Sequence, residues 1–384
     1  MVDPTVQVPL GSTGLSMSRI GIGMRALGEL PDGADHTAHA VVRRAAELGV
    51  TYFDTAPSYG HGKGERRLGD VLEELPSRVI STKAGRAPVQ VGLAGKVRHV
   101  VETTVRSGPR GMLELAGRAG AFARKAASRG SVAKAVDPIE VHDFSYDATM
   151  RSVEQSLRRL RTDRVDILYI HDPVEPLPDV LDGTYRALAR LRNDGTIRAI
   201  GVSANETGPL LEYARAAQFD VLMVAGRYSL VDQSAADELL PFVADEPDTA
   251  LVVAGVFNGG FLADPVPGGS FDYRAASAER LTQARAVHAV CRRHGVDPRA
   301  AAIGLAFAST AVTTVLVGVD SVEQLEQNLG LLEEPIPPEL WADLHAEGHL
   351  SSPAMEELAR ADPNVGASDA GAEHRVVPGR TSPD

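Results

Sequence analysis

Asp54, Tyr59, Lys83 and His171 are the residues whose types could together do chemistry. A tyrosine hydroxyl has a pKa of ~10 and exchanges its proton poorly near neutrality. A lysine cation beside it favours the phenolate. An aspartate paired with that lysine keeps it charged and fixed, and a histidine can hydrogen-bond a substrate oxygen and orient it. Such a set is a tuned proton donor and acceptor facing a carbonyl or an alcohol. Taken singly, each residue also has an ordinary reading. Asp54 ahead of Thr55-Ala56-Pro57 suits a cap or turn, Tyr59 a packed loop aromatic, Lys83 a solvent-facing strand end, and His171 a core histidine bonded to backbone. Asp172, just before Pro173, reads as a turn residue rather than a second acid. No Cys/His cluster offers a zinc site.

The elements that must position these residues alternate along the chain. Apolar runs at Ile20 to Met24, Val50 to Asp54, Val79 to Lys83, Val165 to Ile170, Ile197 to Val202, Val221 to Val224, Leu251 to Ala254 and Thr314 to Val317 read as strands. Helical stretches follow them. One carries Ala40, Val41, Ala45 and Leu48 on a face, and another carries Met150, Val153, Leu157 and Leu160. Others are Glu65 to Leu75, Val180 to Leu191, Pro209 to Ala217, Ala235 to Val243, about Ala276 to His294 and Pro298 to Ser309, with a last helix from near Ser321. Continuous apolar strands mean burial on both faces, as in a parallel sheet. Eight βα units over this length favour a closed (β/α)8 barrel of the α/β class, whose reactive residues collect at the C-terminal strand ends. The second strand ends in Asp54 with Tyr59 in the next turn, the third in Lys83, the fourth in His171 and the fifth in Ser203 and Asn205. They share one rim, which the ordinary readings leave unexplained. No Gly-x-Gly-x-x-Gly follows the first strand, so a Rossmann domain is disfavoured.

Composition bounds the alternatives. The chain has 384 residues, 43% of them hydrophobic, with 39 Lys plus Arg against 51 Asp plus Glu and a net charge of −12. That content builds a large core, and the acidic balance disfavours nucleic acid and anionic membrane as partners. The single cysteine, Cys291, removes intrachain disulfides and fits a reducing cytoplasm. The start, Met1-Val2-Asp3-Pro4, has neither basic patch nor apolar run, so no signal peptide is expected, and no apolar stretch reaches ~18 residues, so no membrane span is expected either. One barrel domain is expected over 8–350, interrupted by an insertion at about 87–136. Between Lys96 and Lys134 that insertion holds nine Lys or Arg and only two acids. It is either a substrate-covering loop or a solvated, tolerated insertion. The tail 362–384, rich in Gly, Ala, Ser, Asp and Pro, is expected to be disordered.

Together these motifs resemble the aldo-keto reductases. The matching pieces are Tyr52-Phe53-Asp54-Thr55-Ala56 with Tyr59-Gly60, Gly64-Glu65-Arg66-Arg67-Leu68-Gly69, Ser81-Thr82-Lys83, Asp163 to His171, Ile200-Gly201-Val202-Ser203, and Val317-Gly318 leading to Glu326-Gln327-Asn328-Leu329. They keep order and spacing from about residue 8 to 345. Within the superfamily, Asp143-Phe144-Ser145-Tyr146-Asp147, Ser152 to Leu157, His171-Asp172-Pro173 and Ala225-Gly226-Arg227-Tyr228 resemble the group of D-threo-aldose 1-dehydrogenase, L-fucose dehydrogenase and pyridoxal 4-dehydrogenase.

The resemblance implies that Asp54, Tyr59, Lys83 and His171 are a catalytic tetrad. It also implies a nicotinamide dinucleotide bound in extended form on the barrel. Ser203 and Asn205, here separated by Ala204, would hold the carboxamide. Ala225 falls where many members carry Gln, with Tyr228 nearby. The loop Gly255-Val256-Phe257-Asn258-Gly259-Gly260, and in it Gly255, Phe257 and Asn258, would pass the pyrophosphate. The segment from Gly318 through Asp320 and Gln324 to Asn328 would hold the adenosine end. That segment contains no Lys or Arg but holds Asp320, Glu323 and Glu326, so NAD is expected over NADP. The expected substrate is an aldose, lactol or other small polar carbonyl or alcohol. The competing expectations are a catalytically silent nucleotide-binding barrel and a cofactor-free barrel lyase or hydrolase.

Overall fold

Short strands apolar on both faces must be covered inside and out. In the computed structural model, which describes residues 6–89, 139–272 and 274–361 with Asp3 and Val365, a parallel barrel does this. Its eight strands are Ile20–Gly23, Tyr52–Asp54, Val79–Ala84, Ile167–His171, Ala199–Ala204, Val221–Ala225, Ala250–Ala254 and Val312–Gly318. Each pairs with the next, and the eighth closes on the first through Val315↔Ile20 to Gly318↔Gly23. The expected (β/α)8 barrel is therefore the observed fold.

Strand alternation sorts the side chains. Phe53, Ile80, Leu168, Ile170, Ile200 and Val202 face the surrounding helices. Tyr52, Val79, Ile167, Tyr169, Ala199, Val221 and Val252 face the barrel axis. The N-terminal end of the barrel is filled by a hairpin, Gln7–Pro9 paired with Ser16–Ser18, whose Leu10, Leu15 and Met17 pack against that inner set. Ser18 and Thr51 lock the hairpin to the second strand: each hydroxyl oxygen accepts the other residue's backbone N–H at 2.9 Å.

Several strands start about two residues later than the apolar runs suggested. Val50, Val165 and Ile197 are buried, but the Val50 and Ile197 N–H groups bond to the Ala45 and Leu191 carbonyls, closing the turns that precede their strands, and the Val165 N–H reaches across to the Thr196 carbonyl ahead of the fifth strand. The stretch read as a helix over Glu65 to Leu75 is a helix only over Lys63–Gly69, followed by a short 3-10 turn at Leu72–Glu74. The element read as Val180 to Leu191 starts at Leu177 and contains a π-helical turn, Leu181–Tyr185. There Gly183 lies against the Phe144 carbonyl, which also accepts the Thr184 hydroxyl at 2.8 Å. The helix capped by Ser321, Val322–Gly330, is not the last. Pro338–Ala346 and Ser352–Ala361 follow, burying Leu340, Trp341, Leu344, Ala354 and Leu358 on the barrel, so the packed fold runs past 350.

The insertion leaves the third strand through a short antiparallel ribbon, Arg86–Val89 paired with Ile139–His142. Residues 90–138, nearly all of the insertion, lie outside the described residues, as does the tail 362–384 apart from Val365. Among the described residues no helix is long and apolar enough to cross a membrane. Cys291 is fully buried, and burial followed by the nearby Asp297 pushes its thiol up to about 12.

Candidate active site

The inward alternation that fills the lower barrel with Val, Ile and Tyr turns polar at the C-terminal strand ends. Asp54 follows Tyr52 on the inner face of the second strand, Ser81 and Lys83 follow Val79 on the third, and His171 follows Tyr169 on the fourth. Register aligns them across strands: Asp54 with Ser81, and Lys83 with Tyr169. Asp54 and Lys83 are each 2% exposed. The Lys83 ammonium donates to Asp54 Oδ2 at 2.5 Å and to the Thr55 carbonyl at 3.0 Å.

Tyr59 reaches this pair from the turn after the second strand. The turn is fixed by backbone packing: a Cβ on Gly60, at φ +58°, would lie 1.9 Å from the Gly28 carbonyl oxygen. Lys83 Nζ stands 4.8 Å from the Tyr59 ring centroid. The Tyr59 and His171 rings meet edge to face, 6.3 Å between centroids. The expected tetrad is thus brought together on one rim.

The electrostatics are set by burial and by these contacts. Burial works against the Lys83 charge, but Asp54 and Tyr59 more than offset it and hold the ammonium above the ordinary lysine range. Burial, and after it the charges of Lys83, Arg86 and His142, hold His171 well below the ordinary histidine range. His171 is therefore a neutral imidazole with one N–H to donate, and its buried Nδ1 has no hydrogen-bond partner among the described residues.

A buried hydroxyl chain lies beneath the tetrad. Ser81 Oγ donates to Asp54 Oδ1 at 2.6 Å, Tyr52 OH is 3.1 Å from Ser81 Oγ, and Tyr169 OH is 3.1 Å from Tyr52 OH. A carboxylate only accepts, so the Ser81 hydrogen goes to Asp54, Tyr52 donates to Ser81, and Tyr169 donates to Tyr52. Burial raises both phenols well above 10, which keeps them protonated and donating. Ser81, Tyr52 and Tyr169 fall within the family-like motifs of the sequence, but no role is read for them there, because the contacts depend on cross-strand register.

The residues expected at a nicotinamide lie on the next strands. Ala204, the last residue of the fifth strand, packs outward, so the strand period of two turns Ser203 inward, and Asn205 follows on the chain that leaves the strand. Ser203 pairs in register with His171, and its hydroxyl donates to the Ile170 carbonyl at 3.3 Å. Asn205 is held by Asp172, whose Oδ2 accepts from Asn205 Nδ2 at 2.7 Å and whose Oδ1 accepts from the Asn205 N–H at 3.1 Å. Asp172 is a turn residue as read, with φ +46°, but it also makes these contacts and lies 3.5 Å from Arg86. Burial raises its carboxyl, opposed by the Asn205 N–H and Arg86.

Gly255, at φ +68°, passes so close to Gly226 that a Cβ would sit 3.1 Å from the Gly226 nitrogen. Phe257 and Asn258 are largely buried after it. Asn258 Nδ2 donates to the Gly226 carbonyl at 3.3 Å, and its buried Oδ1 has no partner among the described residues. Arg227 ties these loops together, 2.8 Å from Glu206 and 2.9 Å from Asp272. Tyr228 is not on the rim: it is fully buried in the outer core, since the chain turns at Gly226 (φ +75°) and Arg227 takes the loop side. Gly318, Asp320 and Gln324 are exposed at the end of the eighth strand and the start of the next helix, and Asn328 is buried on that helix.

The Aldo/keto reductase family profile matches residues 19–347. The chain is 36% identical over 355 residues to pyridoxal 4-dehydrogenase of Microbacterium luteolum, covering 89% of this chain and 97% of that protein. It is 34% identical over 345 residues to D-threo-aldose 1-dehydrogenase of a Pseudomonas species, covering 88% and 96%. In fold it is similar to the holo form of an aldo-keto reductase from Bacillus halodurans, with TM-score 0.65 and 22% identity, over 89% of this chain and 96% of that one.

Proposed function

The chain belongs to the aldo/keto reductase family, and from that premise we propose that it is an NAD(P)-dependent oxidoreductase of aldoses, lactols or related small polar carbonyls and alcohols. The observation that carries this reading is the buried Lys83–Asp54 ion pair set against Tyr59, whose ring also meets neutral His171 edge to face.

In the reducing direction, Tyr59 gives its phenolic proton to the substrate carbonyl oxygen. In the oxidising direction, it takes the hydroxyl proton. Lys83 stabilises the phenolate that remains, and Asp54 keeps Lys83 charged. His171 donates its N–H to the same oxygen and sets its angle. The residues on the rim fit a nicotinamide: Ser203, in register with His171, and Asn205 on the chain that follows it supply polar groups for a carboxamide. When bound, the nicotinamide supplies or receives hydride at its C4.

The sugar and pyridoxal readings rest on the named activities of the two relatives above. The test is a turnover screen of aldoses, pyridoxal and aryl aldehydes with NAD(H) and NADP(H), followed by nicotinamide absorbance. Turnover of a member of this panel supports the reading. Nucleotide binding without turnover of any of them would identify a silent barrel.

A further inference from the structure

We infer that Asp172 is a positioning residue for the nicotinamide end of the cofactor, acting through Asn205; the inference rests on the nicotinamide reading proposed above. Asp172 follows His171 directly, and its backbone N–H donates to the Ser203 carbonyl at 2.8 Å. Its φ of +46° lies in the left-handed region that non-glycine residues rarely adopt. This conformation carries its carboxylate across to the chain that leaves the fifth strand. There it accepts both the backbone N–H and the side-chain amide of Asn205, at 3.1 and 2.7 Å. Arg86, at the foot of the ribbon, stands 3.5 Å from the same carboxylate.

The chemistry of these contacts fixes a choice that an asparagine alone leaves open. The two ends of an Asn amide have the same shape, and a free side chain can present either one. Asp172 accepts and cannot donate. Asn205 must therefore turn its NH2 to Asp172, since the flipped amide would set two oxygens against each other. Its Oδ1 is then kept for another partner. Ser203, whose hydrogen goes to Ile170, also keeps a lone pair to offer. Both side chains are thereby committed as acceptors, the complement of the NH2 of a carboxamide. The acid after the histidine thus decides which face of the ring amide the barrel recognises.

The experiment measures equilibrium binding of NAD+ and of ADP-ribose, which has the same nucleotide and pyrophosphate but no nicotinamide ring. The proteins are the full chain and its Asp172→Ala, Asp172→Asn, Asn205→Ala and Asp172→Ala/Asn205→Ala variants. Asp172→Ala should weaken NAD+ by about tenfold, the scale of one charge-assisted hydrogen bond, and leave ADP-ribose unchanged. Asp172→Asn keeps the shape and one acceptor, tolerates the left-handed backbone, and should fall between. The double variant should bind NAD+ no worse than Asn205→Ala. Equal weakening of both ligands would make Asp172 a general structural residue and overturn the inference. So would unchanged NAD+ binding in the Asp172 variants while Asn205→Ala is impaired. Normal NAD+ binding in Asn205→Ala would instead overturn the carboxamide reading on which the inference rests.

Discussion

Ser81 holds Asp54 from the side opposite Lys83: its hydroxyl donates to Oδ1 at 2.6 Å while the ammonium donates to Oδ2 at 2.5 Å. Both carboxylate oxygens are pinned, so Asp54 cannot rotate away from the lysine. Ser81→Ala should lower kcat by roughly tenfold, the scale of one hydrogen bond to a charged group, with little change in KM. Tyr52→Phe should cost less and Tyr169→Phe least, because each sits one hydroxyl further from the charge. Steady-state kinetics of the three variants check this order. An undiminished kcat in Ser81→Ala would show that Lys83 alone orients Asp54.

Tyr59→Phe removes the exchangeable proton and keeps the ring that packs against His171. Turnover should fall by ~10²–10⁴-fold, the range for a positioned acid or base, while nucleotide affinity persists. Near-normal turnover would remove Tyr59 from the mechanism.

The neutral state of His171 makes a pH prediction. In the unfolded chain a histidine takes up a proton near pH ~6.5. In the fold, burial and the neighbouring cations keep it deprotonated well below that. The unfolded state therefore binds more protons once pH falls below that value. Stability contributed by the neutral ring is present above it and is lost on acidification, at up to about 1.4 kcal/mol per pH unit. His142, also held low by burial first and then by Arg86, acts with the same sign. Urea midpoints measured at about pH 7.5 and about pH 5.5 should fall less for His171→Gln than for the parent. Equal falls would mean that His171 does not carry the acid sensitivity.

Nucleotide choice follows from the acidic segment after the eighth strand. Glu326 is already paired with Arg44 at 2.7 Å, and Gln324 accepts the Asp320 N–H through its side chain at 3.2 Å. A 2′-phosphate there would meet exposed Asp320 and Glu323, while the neighbouring Arg44 and Arg299 are already engaged by Glu326 and by Asp297; a ribose hydroxyl could donate to either exposed carboxylate. The kcat/KM with NAD should exceed that with NADP on one accepted substrate. A tenfold preference for NADP, about 1.4 kcal/mol, would show that a cation is supplied from another loop.

Replacing residues 90–138 by a short turn between Val89 and Ile139, which face each other across the ribbon, tests the insertion. Because the ribbon continues from the strand bearing Lys83, substrate KM or preference should change more than nucleotide affinity. Unchanged kinetic constants would make the segment a tolerated addition.

The four tetrad residues were legible because each ends or closely follows an apolar run, and a parallel barrel brings such ends to one rim. The barrel itself was legible from the count of those runs. The hydroxyl chain of Ser81, Tyr52 and Tyr169 was not, because these residues, though inside the matching motifs, show no shared role until register sets them beside Asp54. Asp172 was read only as a turn former, since its contact with Asn205 crosses between neighbouring strands. Tyr228 was expected at the nucleotide, but local spacing does not show that the chain turns its ring into the core. The paired ribbon at the root of the insertion was also hidden, with its two strands separated by the whole segment.

The state of Cys291 makes the protein its own unfolding clock. With its thiol at about 12 and no exposed surface, the thiolate fraction at neutral pH is on the order of 10⁻⁵. Alkylation of the folded chain is then limited by how often the surrounding helices open, and its rate reads that opening without any introduced probe. Oxidants meet no accessible thiol until the same event, so damage at this position should follow the loss of structure rather than cause it.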